Sequence, residues 1–100
     1  MFGGNNMMKK LQEMQQKVEE TKARLDTITV EGKASNGKVA VLMTGNRKVN
    51  SIAINEELSN LDKEELEDLL VIATNDALQK AESVNESEMK AASAGMLPGM

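Results

Sequence analysis

The side chains of this chain that could do chemistry are carboxylates and amines, because it contains no His, Cys, Trp or Tyr. General acid–base catalysis usually relies on His, whose pKa lies near working pH. An enzyme without it would need paired carboxylates, a Lys, or a Ser activated by a Lys. Carboxylates are frequent in one later segment, at Glu64, Glu65, Glu67, Asp68 and Asp76. Most fall outside the apolar positions, and such charges usually stay solvated. The sequence therefore predicts no enzymatic activity, no metal site and no cofactor.

The basic residues are concentrated in the first half of the chain. Residues 1–50 carry nine Lys/Arg and five Asp/Glu, a net charge of +4. Residues 51–100 carry three and eleven, a net charge of −8. Such asymmetry indicates nucleic acid or an acidic surface as partner, although it could also pair one subunit with another. Because the whole chain has a net charge of −4, DNA binding would depend on a localised positive patch.

The first helix allows two interpretations of its charges. Lys10, Glu13, Lys17, Glu20 and Arg24 follow one another at helical spacing, with acid before base at i, i+4 in two pairs. They form either a solvated flank whose charges compensate one another or a weakly basic face that follows a phosphate backbone. Four basic residues are less compensated: Lys9, Lys38, Arg47 and Lys48.

Hydrophobic periodicity predicts an α+β fold with the order α-β-β-β-α. A heptad spacing predicts a first helix over about Asn5–Asp26, with apolar positions at Met7, Leu11, Met14, Val18, Leu25 and Ile28. The stripe is narrow, so we expect it to pack along another helix, in the same subunit or in a partner. Residues 1–6 and 94–100 are expected to be flexible ends of a single domain spanning residues 1–100.

Alternating residues predict a three-stranded antiparallel meander. Strands follow from Ile28 to Ala34, around Val39–Met43, and from about Lys48 to Asn55. Ser35-Asn36-Gly37 forms the first turn, and Gly45-Asn46 has the residue types of a two-residue hairpin turn.

A second helix begins after Asp62, which with Glu65 resembles a capping box, and extends to about Ser93 before Gly95. Its apolar face is formed by Leu66, Leu70, Ala73, Ala77, Ala81 and Val84. One helical turn is possible in the connector over residues 56–61. A small domain with one aromatic residue has little core of its own, so we expect a homodimer. No segment approaches the roughly 20 apolar residues of a membrane span, and no signal peptide is evident, so we expect a soluble cytoplasmic protein.

Four segments, in this order, resemble the YbaB/EbfC family of bacterial nucleoid-associated proteins over essentially the whole length. They are the start Met7–Gln16, the strands around Val30-Glu31-Gly32 and Val41–Gly45, the block Leu66–Ala77, and the ending Gly95–Met100. One departure is Ile54-Asn55, where members commonly have Asp.

The resemblance implies a tweezer-like homodimer, joined through its sheets, that binds double-stranded DNA in the nucleoid with weak sequence preference. It places the DNA contacts on helical arms, and we add the hairpin tip; the candidates are Lys9, Lys10, Lys17, Lys22, Arg24, Arg47 and Lys48. We assign packing or dimer roles to Met14, Val18, Val41, Met43, Leu66, Leu70, Ala73 and Asn75. Asn75 or Asp76 is expected to hydrogen-bond across a subunit boundary. No membrane or small-molecule partner is expected.

The main alternative is a protein-binding scaffold, in which the Met-rich heptad helix engages another DNA-processing protein. A prefoldin-like chaperone is disfavoured because Asp76, Lys80 and Ser83 interrupt the heptad in the second helix.

Overall fold

The chain folds as one helix, three antiparallel strands and a second long helix, which confirms the predicted α-β-β-β-α order. The structure is a computed structural model that describes residues 2–94, with side chains described for residues 6–94. Its elements are α1 (Phe2–Leu25), β1 (Thr29–Ala34), β2 (Val39–Thr44), β3 (Val49–Ile54), a short 3-10 helix (Leu58–Asn60) and α2 (Lys63–Ala94). The molecule is elongated, with extents of 71 × 21 × 18 Å.

Except at the start of α1, the helix boundaries agree with those predicted from the local sequence. Helix α1 begins at Phe2, three residues before the expected start near Asn5, so its backbone continues through the two glycines. Helix α2 begins as expected, because the Oδ1 atom of Asp62 accepts a hydrogen bond of 2.7 Å from the Glu65 N–H. The predicted terminator Gly95 and the tail that follows it lie outside the described residues.

The strands form one sheet with the order β1-β2-β3. The second hairpin differs from the prediction of a two-residue turn. The Arg47 N–H donates to the Thr44 carbonyl and the Thr44 N–H donates to the Lys48 carbonyl, so three residues form the loop. The positive φ falls on Arg47, at 65°, and not on Gly45 or Asn46. This is the pattern of a type I turn followed by one left-handed residue.

Helix α2 lies across β1 and β2, where its small residues permit a close approach. Ala73 and Ala77 are fully buried. A Cβ added to Gly32 of β1 would lie 2.2 Å from the Ala73 carbonyl oxygen, so only glycine fits at this contact. Leu69, which the predicted apolar face omitted, is also buried. The rest of the core comes mainly from one face of β2, at Val39, Val41 and Met43.

The outer edge of β1 is closed by side chains of α2. The backbone N–H of Lys33 donates to the Oδ2 atom of Asp76 at 3.0 Å, and the Lys80 Nζ donates to the Glu31 carbonyl at 2.8 Å. Asp76 and Lys80 are themselves paired at 3.2 Å. Asp76, expected to bond across a subunit boundary, therefore uses its carboxylate within its own subunit. These contacts occupy backbone groups with which a further strand would pair.

The outer edge of β3 is open. Among residues 6–94, no hydrogen bond outside the β2–β3 ladder involves residues 49–54. Ile52 and Ile54 stand opposite Val41 and Val39, so their side chains share the face on which α2 packs. Helix α2 covers β1 and β2 instead, and leaves Ile52 and Ile54 50% and 40% exposed. The sheet thus has one closed edge and one uncovered apolar edge.

The closure of the β1 edge should make stability depend on acidity. The Lys33 N–H, and then Lys80, hold the pKa of Asp76 below its ordinary value of 3.8. A lowered folded-state pKa contributes stability above the unfolded-state pKa, and the contribution is lost as pH falls through the folded value. Asp76→Asn should therefore lower the free energy of unfolding near neutral pH, and its difference from the unaltered protein should shrink below about pH 3.8.

Urea unfolding at about pH 6.5 and about pH 2.5 measures both differences. Asp68→Asn is the matched control, since Asp68 is exposed on the same helix; it should change the free energy of unfolding by less than about 0.5 kcal/mol. An Asp76→Asn effect of equal size at both pH values would contradict the assignment.

Candidate nucleic-acid interface

At the tip of the β2–β3 hairpin, the sheet contacts both the end of α1 and helix α2. The Gly45 N–H lies 3.0 Å from the Leu25 carbonyl oxygen and 2.9 Å from that of Ile28, both of which accept it. A Cβ on Gly45 would lie 2.7 Å from the Cδ2 atom of Leu25. Leu25 is completely buried in this contact. The end of α1 is therefore fixed directly against the hairpin tip.

Two asparagine side chains reinforce this junction. The Asn46 Nδ2 donates to the Lys22 carbonyl at 2.7 Å and to the Asp26 Oδ1 at 2.6 Å. From the other helix, the Asn85 Nδ2 donates to the Gly45 carbonyl at 2.9 Å. The hairpin tip thus holds both helices, and it sets the direction in which α1 leaves the sheet.

The junction brings together cations that are far apart in sequence. Arg47 and Lys48 are exposed at the hairpin tip, and Lys22 lies on the last turns of α1, whose carbonyl Asn46 binds. Among residues 6–94, none of these three has a carboxylate within ion-pairing distance. Arg47 holds the left-handed backbone position of the three-residue loop, with a φ of 65°. This cluster of Lys22, Arg47 and Lys48 is called the tip cluster below.

The remaining predicted cations extend along α1. Lys17 lies just beyond the tip cluster and is exposed. Lys9 and Lys10 are exposed too, and Lys10 is about 18 Å from Lys22 at the ordinary rise of a helix. The structure therefore places these lysines on one projecting rod and not in one compact site.

Arg24 differs from the other predicted cations. Its guanidinium pairs with the carboxylate of Glu88 on α2, and the predicted Glu20–Arg24 pair within α1 does not form among the described residues. The Glu13–Lys17 pair is likewise absent from that part of the chain. Arg24 can pair with Glu88 because α2 runs beside the last turns of α1. Lys17 is consequently left available, whereas Arg24 helps to hold the two helices together.

Seven of the sixteen acidic residues lie at the opposite end of the sheet. Between the end of β3 and the second turn of α2 the chain carries Glu56, Glu57, Asp62, Glu64, Glu65, Glu67 and Asp68. Asn85 touches the hairpin tip, so Asp68 lies about 25 Å from that point along the helix. These seven carboxylates are therefore distant from the tip cluster, whereas Asp26 lies within the junction, where its Oδ1 accepts a hydrogen bond from Asn46.

The predicted packing residues divide into three groups. Val41, Met43 and Ala73 are buried in the core. Leu66 and Leu70 pack against that core while partly exposed, and Met14 and Val18 are half-buried on α1. Asn75 is exposed on α2. No side-chain hydrogen bond of Asn75 is found among residues 6–94, and its assignment across a subunit boundary stays a prediction.

Buried polar residues, metal-binding clusters and membrane-spanning helices are absent from the part of the chain that the structure describes. No polar or charged residue within 6–94 is buried, and no group of three or more acidic side chains there could hold a metal ion. Neither helix, over its described length, is long and apolar enough to cross a membrane. The sequence did not predict the junction at Gly45, Asn46 and Asn85. Its only local indication is the Gly45-Asn46 pair, whose residue types predict a turn.

Comparisons with known proteins identify the family of the chain. Residues 1–96 match the model of the YbaB/EbfC DNA-binding family. A protein of Flavobacterium johnsoniae named "Nucleoid-associated protein" is 46% identical over 94 residues, which cover 94% of this chain and 88% of the relative. The crystal structure of an uncharacterized protein from Helicobacter pylori has the same fold, with a TM-score of 0.69 at 22% identity. That match covers 87% of this chain and 89% of the other. The chain therefore belongs to the YbaB/EbfC DNA-binding family.

Proposed function

We propose that this protein binds double-stranded DNA in the bacterial nucleoid, mainly through phosphates and with weak sequence preference, and that it alters DNA conformation or compaction without catalysis. The observation that carries the proposal is the tip cluster, where exposed cations of α1 and of the hairpin lie together, away from the acidic end. Family membership and the name of the Flavobacterium relative support it.

Phosphate contacts follow from the kinds of side chain at this end of the molecule. Lys22 and Lys48 offer point charges on flexible stems, which suit phosphate oxygens and carry no sequence information directly. No aromatic side chain occurs among residues 6–94 that could stack on an unpaired base. Lys17, Lys10 and Lys9 continue the positive charge along α1, so the rod would follow a duplex backbone.

We further propose that the protein acts as a homodimer joined at the open edge of β3. Ile52 and Ile54 combine exposed apolar side chains with free backbone groups, and residues 49–54 contain no charge that would repel another strand. Antiparallel pairing of β3 with β3 of a second copy obeys two-fold symmetry and continues the sheet. The closed edge of β1 supports this choice, because only one edge is left to pair. A dimer presents two tip clusters, and two separated contacts on one duplex can bend it.

The DNA-binding proposal predicts that charge removal matters at one end of the sheet only. Lys22→Gln/Lys48→Gln should weaken binding to an unspecific labelled duplex by at least about tenfold at low salt. The slope of log K against log salt should become shallower by about one unit for each lysine that contacts a phosphate. Fluorescence anisotropy at several salt concentrations measures both quantities.

The matched control removes the same charge elsewhere. Lys38→Gln/Lys63→Gln changes two exposed or half-exposed lysines near the acidic end, about 20 Å from the hairpin tip along β2. It should leave the dissociation constant within about twofold, because screening limits the effect of a distant charge. Equal losses in the two double variants would mean that net charge alone, and not the tip cluster, governs binding.

The dimer proposal predicts a difference between the two sheet edges. The protein should have a solution mass of twice 10.9 kDa, measured by light scattering after size exclusion. Ile52→Lys should raise the dimer dissociation constant at least about tenfold, since it buries a charge in an apolar interface. Thr29→Lys adds the same charge to an exposed position of the closed strand β1 and should stay dimeric. A dimer that survives Ile52→Lys but dissociates with Thr29→Lys would place the interface at the β1 edge and contradict the proposal.

A further inference from the structure

An apolar stripe on α1 has no partner within the described part of the chain. The α1 stripe is formed by Met7, Leu11, Met14 and Val18, and Met7 and Leu11 are 66% and 57% exposed. One side of the stripe borders a shallow groove lined by Leu11, Met14, Gln15, Val18, Glu19 and Lys22. The predicted packing of this heptad along another helix is therefore not provided by α2 of the same subunit.

Helix α2 contacts a different face of α1. The space between the two helices is lined on α1 by Lys17, Glu20, Thr21 and Arg24, and on α2 by residues that begin with Glu88. These α1 positions lie about a quarter turn from the stripe at 100° per residue. Because α2 is already held there by the Arg24–Glu88 pair, it cannot also cover Met7 and Leu11.

The charges beside the stripe select its partner. In the heptad that places Leu11 and Val18 at a, the flanking g positions are Lys10, Lys17 and Arg24. The flanking e positions are Met8, Gln15 and Lys22. No acidic residue of α1 occupies either flank; Glu19 borders the groove one position further out.

These flanks disfavour a second copy of α1. Residues at e and g decide which helices pair in a coiled coil, and like charges across the seam are destabilising. Two parallel α1 helices would face Lys17 with Lys22, and two antiparallel ones would place Lys10 and Lys17 against each other or against Arg24. A helix with the same apolar spacing and acidic flanks would meet opposite charges instead.

We propose that the α1 stripe docks an amphipathic helix of another protein, with apolar residues at heptad spacing and Asp or Glu on both sides. The stripe from Met7 to Val18 is about 17 Å long, which matches about three helical turns of such a partner. Exposed Met side chains suit this role, since they adapt to different apolar surfaces. The docking does not rest on DNA binding, but both would use Lys17 and Lys22, so an acidic helix and DNA would compete.

The test uses the full chain and two synthetic labelled peptides of about three heptads each, with Leu at a and d. One peptide carries Glu at e and g, and the other carries Lys at the same positions. The acidic peptide should bind with a dissociation constant at least about tenfold lower than the basic one, measured by anisotropy. An unlabelled duplex should displace it.

Two matched variants locate the site. Leu11→Gln, in the stripe, should weaken binding of the acidic peptide at least about tenfold, because a buried leucine contact is lost. Leu58→Gln removes a similarly exposed leucine outside the stripe, 64% against 57%, and should leave the peptide affinity unchanged. Neither leucine belongs to the buried core, and circular dichroism confirms that both variants are folded.

Three results would overturn the proposal. Absence of binding, or equal binding of the acidic and basic peptides, would remove the charge-selected partner. A fall in the solution mass of Leu11→Gln would assign the stripe to a second copy. Loss of DNA affinity in Leu11→Gln equal to its loss of peptide affinity would make the stripe part of the DNA contact. The DNA-binding proposal fails separately, on the lysine variants and their salt dependence.

Discussion

The position of α2, and with it the state of the two sheet edges, depends on the close contact between α2 and β1 at Gly32. Because glycine lets the backbones of Ala73 and Ala77 approach, α2 lies toward the β1 side of the sheet. From there Asp76 and Lys80 reach the backbone of β1 and close its edge. The same placement leaves β3 without a helix over its apolar face. One local requirement for a small residue therefore produces a closed edge, an open edge and the surface on which a second subunit can be built.

Contacts at the hairpin tip determine where the cations of α1 lie relative to the sheet. Gly45 and Asn46 bind the end of α1, and Asn85 binds the tip from α2, so α1 leaves the sheet at a fixed point. Lys22, Arg47 and Lys48 lie there, while the carboxylates before and within the first turns of α2 lie at the far end. A protein with a net charge of −4 can in this way present positive charge to a polyanion. The same positively charged surface also suits acidic partners.

Local patterns predicted the elements but not their tertiary relations. The start of α2 could be predicted because the side chain of Asp62 accepts a hydrogen bond from the Glu65 N–H, an interaction between residues close in sequence. Alternation predicted β3, yet nothing in it indicated that Ile52 and Ile54 would stay uncovered, since that depends on where α2 lies. Leu69 was missed for the same reason. Helical spacing predicts a pair of Arg24 with Glu20, whereas Glu88, 64 residues away, is its partner. The left-handed backbone of Arg47 follows from the three-residue loop, not from its residue type.

The central claim is that the open β3 edge joins two copies so that their two tip clusters act on one duplex. The salt dependence of DNA binding by Ile52→Lys, compared with the unaltered protein, tests it most directly. If the variant is a folded monomer, the slope of log K against log salt should fall to about half, because half as many phosphates are contacted. The affinity should fall with it. A monomer that binds with the unaltered slope and affinity would contradict the account.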